Sequence, residues 1–157
     1  MKTLSRHVVE GESRTATIAA LQNCLADLID LALQGKQAHW NVVGSSFRAV
    51  HLQLDEIIAT TRDGSDAVAE RIVTLGDPAE GLPSYVAEKS RLAAYPSGLQ
   101  SVSDTVTQVA DRLQKAIQGL REAIETVSDL DPISEDLLVG LTGALEKHLW
   151  MVQAQEA

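Results

Sequence analysis

Aromatic residues make up only 3% of the 157-residue chain, cysteine occurs once and proline four times. A core without aromatic bulk must be built from Leu, Val, Ile and Ala, the side chains of packed helices. One cysteine excludes a disulfide framework within the chain and suits a reducing compartment. No uninterrupted apolar run reaches the roughly 18 residues that mark a membrane-spanning helix. The opening segment MKTLSRHVVEGESRT has no apolar stretch of the kind a secretory signal carries. A soluble, cytoplasmic protein without a membrane partner is the expectation. Basic residues are also scarce: 13 Lys and Arg against 22 Asp and Glu give a formal charge of -9. That balance argues against a folded surface that binds phosphate backbones and favours cationic guests. At 16.9 kDa the chain has the length of one domain, enough to bury a core without covalent staples.

Three of the four prolines, Pro78, Pro83 and Pro96, crowd one segment, and Pro132 stands alone. The stretches between them have room for long helices. From about residue 15 to 43, Ile18, Leu21, Leu25, Leu28, Ile29 and Ala32 recur at three and four residues and mark one apolar stripe. Gly44 and Ser45 interrupt it. A second helix opens with Ser46 as N-cap, carries Phe47, Val50, Leu54, Ile57 and Ile58, and stops at Gly76, Asp77 and Pro78. Residues 76 to about 102 form a connection with a short helix over 84–94. A third helix begins near Ser103 with Val106, Ala110, Leu113, Ile117, Leu120, Ile124 and Val127 on its seam. The last opens at Asp131 as N-cap and Pro132 as first residue, with Ile133, Leu137, Leu141, Leu145, Leu149 and Val152 toward the core. Short turns at 44–46 and 128–131 make two antiparallel hairpins, and a connection of roughly 25 residues can cross the length of the bundle between them. The fold class expected is all-α: a ferritin-like four-helix bundle over 15–157, with a long crossover carrying a short helix between helices two and three, preceded by a flexible arm at 1–14.

The second helix carries His51, Asp55, Asp66 and Glu70, all metal-competent. At about 100° per residue, Asp55 lies about 40°, Asp66 about 60° and Glu70 about 100° from His51, so one face holds all four. Along the axis His51 and Asp66 are about 22 Å apart at 1.5 Å per residue, and no single ion touches both pairs. The pairs meet if a second copy of the helix runs antiparallel across this face about a two-fold axis near Thr60 and Thr61, giving two equivalent sites per homodimer. Ala59, Thr60 and Thr61 are small enough for the crossing. His39, near the end of helix one, adds another imidazole. Mixed imidazole and carboxylate ligands fit iron, with zinc or manganese as competitors, and the Glu-x-x-His pairs of a di-iron bundle interior are missing. Cys24 reads as a small core residue, His148 as a packed histidine, and His7 as part of the solvated arm. The acids of 122–136 read as cap and helix-dipole residues or as something more.

The run His39-Trp40-Asn41-Val42-Val43-Gly44, then His51, Asp55, Asp66 and Glu70 within Ala69-Glu70-Arg71-Ile72, resembles the Dps proteins, the miniferritins also called DNA-binding proteins from starved cells. The resemblance spans about residues 15–152. It implies a hollow homododecamer with ferroxidase centres at two-fold interfaces, His39, His51 and Asp55 from one subunit and Asp66 and Glu70 from the next. There Fe(II) is the substrate, hydrogen peroxide is preferred to dioxygen as oxidant, and an Fe(III) mineral forms inside the cage, protecting against oxidative stress. Trp40 is implied as an orienting or radical-quenching aromatic beside the centre, or equally as interface packing. Asp129, Asp131, Glu135 and Asp136 fall where family members line an iron pore. The family's DNA binding rests on Lys-rich tails. Residues 1–15 here carry Lys2, Arg6 and Arg14 against Glu10 and Glu12, and the sequence closes on Gln155-Glu156-Ala157 without a basic run. DNA is therefore a weakly supported partner, and a nucleoid-binding scaffold is the alternative function.

Overall fold

The structure, a computed structural model, describes residues 6–156; residues 1–5, Lys2 among them, and residue 157 lie outside the described residues. In chain order it has α1 (Gly11–Asn41), β1 (Val42–Val43), α2 (Phe47–Thr74), α3 (Pro83–Lys89), β2 (Gln100–Ser101), α4 (Val102–Val127) and α5 (Pro132–Gln153). Four long helices form the bundle and the crossover carries the short helix, as the proline distribution indicated. The crossover's last residues pair in parallel with the chain leaving α1, Val42 with Gln100 and Val43 with Ser101, an anchor that no periodicity announced.

The interior is aliphatic. Leu21, Leu28, Leu54, Ile57, Ile72, Leu113, Leu120, Leu138 and Leu145 are almost completely sealed, and truncating any of them to Ala removes about 2–5 kcal/mol. By length and hydropathy alone α1 could cross a membrane, but its apolar stripe is buried against α2 and α4. It begins at Gly11, earlier than residue 15, because Arg14 is tied down: Nε donates to the Leu75 carbonyl at 2.5 Å and the guanidinium pairs with Asp77 at the end of α2. A cation there also meets the negative end of the helix dipole.

Polar anchors hold the crossover. Asp27, 1% exposed in α1, accepts from Arg91 N, Nε and Nη2 at 2.8, 2.9 and 2.7 Å. Arg112 of α4, 5% exposed, donates to Gln34, Gln108 and the Ala94 carbonyl and lies over the Tyr95 ring. Cys24 is buried as expected, its thiol pushed up to about 12 by burial, which makes it unreactive.

In α5 Leu145 and Val152 are buried as expected and Leu137, Leu141 and Leu149 pack against the core, but Ile133 does not. Ile133 and Leu145 are twelve residues apart, which turns them about 120° away from each other. Ile133 is accordingly exposed, while Ser134, Leu138, Thr142, Leu145, His148 and Val152 are buried. Steps of four alone drift around a helix; alternating threes and fours do not. Phe47 is likewise half-exposed at the start of α2. The seam between α2 and α5 is close, because Gly64 lies where any Cβ would collide with Leu141 Cδ1 at 2.5 Å. Three polar joints cross it: Gln53 with Gln155, Thr60 with His148, and Arg71 with Asp131.

Asp131 occupies the N-cap position of α5, but its side chain makes no capping hydrogen bond. It accepts instead from Arg71 Nη2 at 2.6 Å and from Ser134 Oγ, with only 3% of the residue exposed. Burial would raise the Asp131 carboxyl; the hydrogen bonds from Arg71 and Ser134 outweigh it and hold the group below the ordinary aspartate value. The stabilisation is thus complete above the unfolded-state value of about 3.9 and is lost as pH falls below it. Replacing Asp131 with Ala is expected to lower unfolding free energy by about 3 kcal/mol, since it strands a part-buried guanidinium, and to weaken the acid limb of stability. Urea midpoints measured at neutral and acid pH check this; an unchanged midpoint at neutral pH would contradict it.

Candidate metal centre

The turn from α1 into α2 brings two histidines face to face. Gly44 has φ +123, which favours glycine, and Ser46 takes the left-handed region at φ 66. Ser46 was expected to cap α2 through its side chain, yet it makes no such bond; the Gly44 and Ser46 carbonyls accept from Phe47 and Ala49 instead. Across this tight turn His39 Nδ1 lies 2.9 Å from the His51 carbonyl and His51 Nδ1 lies 2.9 Å from the His39 carbonyl. A carbonyl only accepts, so each Nδ1 carries the proton and donates, and each Nε2 keeps its lone pair for a metal. The rings stack with centroids 3.6 Å apart and planes 22° from parallel. His39 is buried and His51 partly so.

Asp55 stands one turn beyond His51. Single ligand atoms of His39, His51 and Asp55 all lie within 4.8 Å of one another, the only such group among the described residues. The Asp55 carboxylate is held by a residue that sequence reasoning missed: Lys36 Nζ donates to Oδ1 at 2.6 Å. That hydrogen bond, with the nearby imidazoles, keeps the Asp55 carboxyl below its ordinary value, so it is ionised and ready to ligate. The signal was available, because Lys36 precedes His39 by three residues and shares its helix face.

Asp66 and Glu70 do not join this group within the subunit. Both are exposed on the same side of α2, more than four turns along it. Of the three residues expected at a helix crossing, only Ala59 is exposed. Thr61 is fully buried in the subunit's own core, and Thr60 faces α5, where it meets His148. Both point away from the centre of the ligand face by about 130°, so Ala59 and Arg62, both exposed on that face, are the residues at its midpoint. Trp40 is 70% exposed beside His39. Of the candidate pore acids, Asp129 and Asp136 are exposed and Glu135 partly so. Asp131 departs from that set, because its carboxylate is spent on Arg71 and Ser134.

A metal ion that takes Asp55 Oδ1 competes with Lys36 for that oxygen. Lys36→Met is therefore expected to tighten Zn(II) binding, used as a redox-silent probe, by about two- to fivefold, the scale of an exposed ion pair. Isothermal calorimetry reads this directly, and equal or weaker affinity in the variant would show that Lys36 does not compete.

Comparison with known proteins gives a consistent picture. The family model described as Ferritin-like domain matches residues 18–156. The DNA protection during starvation protein of Agrobacterium fabrum is 33% identical over 156 residues, covering 98% of this chain and 96% of that protein. The fine tangled pili major subunit of Haemophilus ducreyi is 42% identical over 135 residues, covering 86% of this chain and 71% of that protein. The structure of Dps from Microbacterium arborescens in the high iron form superposes with a TM-score of 0.90 at 32% identity, over 96% of this chain and 98% of that one. The chain belongs to the ferritin-like Dps family, proteins of iron storage and protection against starvation or oxidative damage.

Proposed function

We propose that the chain is the subunit of a dodecameric ferroxidase cage, in which His39, His51 and Asp55 of one subunit and Asp66 and Glu70 of its two-fold partner bind the Fe(II) substrate. The observation that carries this reading is the convergence of His39, His51 and Asp55 on a helix face whose other two carboxylates, Asp66 and Glu70, join no group of three metal-competent side chains among the described residues. Two imidazole nitrogens leave coordination positions free for the oxidant, and three carboxylates offset cationic charge and favour Fe(III). With hydrogen peroxide, two Fe(II) ions give up one electron each. The O–O bond breaks to two hydroxides, and hydrolysis of Fe(III) to an oxyhydroxide mineral releases protons.

Asp129, Glu135 and Asp136 are the acids that we assign to an iron pore near the start of α5, with Asp131 bracing that helix end against α2. Trp40 lies beside the centre and would be covered by the partner. Twelve copies of 16.9 kDa make a particle of about 200 kDa. A cytoplasmic setting fits the single cysteine. DNA is the weaker partner: among described residues the arm offers Arg6 and Arg14 against Glu10 and Glu12, and Arg14 is engaged by Leu75 and Asp77.

Anaerobic Fe(II) titration followed by a peroxide pulse tests the assignment. The wild type is expected to give a fast Fe(III) absorbance rise that saturates with bound iron. The double variant His51→Ala, Asp66→Asn should oxidise iron more than about tenfold slower while keeping the particle size. Unchanged rates in the variant would refute the assigned ligands.

A further inference from the structure

His148 sits in the α2–α5 seam, away from every proposed ligand, and its hydrogen bonding is lopsided. Only 9% of the residue is exposed. Its Nε2 lies 2.9 Å from Thr60 Oγ1, while Nδ1 is buried with no hydrogen-bond partner. Thr60 Oγ1 also lies 3.1 Å from the Glu56 carbonyl, which can take its proton; the tautomer with hydrogen on Nε2, donated to Thr60, is the one that leaves no ring N–H buried without an acceptor. Nδ1 is then a bare lone pair in a dry contact. The neutral ring is satisfied at its one donor. An imidazolium would have a second donor with nothing to receive it, and a buried unpaired donor of a charged group is costly.

The charged groups facing the ring are Glu56 from α2, which favours the imidazolium, and Lys147 from α5, which opposes it. Burial is the largest influence, and the net effect holds His148 below the ordinary histidine value. Glu56 is exposed, one turn before Thr60. A protonated ring therefore has a reason to leave Thr60 for the solvent edge where Glu56 stands, and leaving breaks the middle of the three polar joints across the seam.

We propose that the His148–Thr60 contact is a proton-sensitive joint, closed when the imidazole is neutral and opened by acid, which loosens α2 from α5 along the helix that carries His51, Asp55, Asp66 and Glu70. The sign follows from linkage. A base whose protonation is suppressed in the folded chain stabilises fully above the unfolded-state value of about 6.5, and that stabilisation is lost as pH falls below it. The inference needs no bound metal and stands independently of the ferroxidase reading. If that reading also holds, protons released by mineral formation are a natural trigger.

Hydrogen exchange read by mass spectrometry on the assembled, metal-free protein tests it, comparing about pH 7.5 with about pH 5.5, on either side of the ordinary histidine value. After correction for intrinsic rates, the amides of α2 around Thr60 and of α5 around His148 are expected to exchange several-fold faster at the lower pH. His148→Phe, which keeps a ring in the seam without an ionisable nitrogen or a hydrogen bond to Thr60, should abolish that acid response, so that exchange in the seam is the same at both pH values. The same acid response in the variant, or none in the wild type, would overturn the proposal. Should the Phe variant assemble poorly, the C2-hydrogen exchange of His148 in the wild type decides: a midpoint below that of a free histidine supports the joint, and one at or above it rules the joint out.

Discussion

The fixed rise of an α-helix governs the organisation of this protein's chemistry. α2 holds four metal-competent side chains on one face, yet its rise keeps the His51–Asp55 pair about 22 Å from Asp66 and Glu70. Nothing in the subunit can close that distance, since α1, α4 and α5 fill the other sides of the helix. Under the proposed assignment the subunit builds half a centre. Reciprocal hydrogen bonds between His39 and His51 fix both rings and both tautomers, and Lys36 holds Asp55 ionised. Asp66 and Glu70 are exposed and make no ion pair among the described residues. In the proposed shared centre, chemistry is coupled to assembly, because the ligand sets would become complete only where copies meet.

The bundle around this half-site is plain aliphatic packing, interrupted by a few buried polar contacts that each fix something packing leaves free. Asp27 and Arg91 fasten the crossover to α1, Arg112 fastens its far end to α4, and Arg71 with Asp131 sets the start of α5 against the end of α2. Leucine and valine faces can slide by a turn at small cost; a buried guanidinium with fixed acceptors cannot. The α2–α5 seam shows the principle most clearly. Close approach at Gly64 supplies contact, and polar joints at Gln53, Thr60 and Arg71 supply register along the ligand-bearing helix.

Much of this was legible in the residues. Proline placement and three-four spacing located all four long helices, and helical arithmetic sorted the metal-competent side chains of α2 into two pairs. The misses have physical causes. In the run Ile133, Leu137, Leu141 and Leu145 the steps of four rotate around the helix, so Leu145 is sealed in the core and Leu137 and Leu141 pack against it, but Ile133 at the far end is exposed, and Ser134 and Leu138 are buried beside them. Thr60 and Thr61 were suited by size to a helix crossing, yet lie on the wrong side of α2, because size says nothing of azimuth. Asp131 was legible as a cap position and not as a buried partner of Arg71, a contact between residues sixty positions apart. Lys36 escaped because lysines on helix surfaces are common, although its place three residues before His39 put it on the ligand-bearing face.

The account's central claim is that the centre is shared. Crystals soaked anaerobically in Fe(II) and measured at the iron absorption edge test it directly. The claim predicts anomalous density bounded by His39, His51 and Asp55 of one subunit and by the partner subunit's Asp66 and the partner subunit's Glu70, with two such peaks about 22 Å apart at each two-fold interface. Iron held by His39, His51 and Asp55 with no carboxylate from a second subunit, or iron bound elsewhere in the bundle, would contradict it.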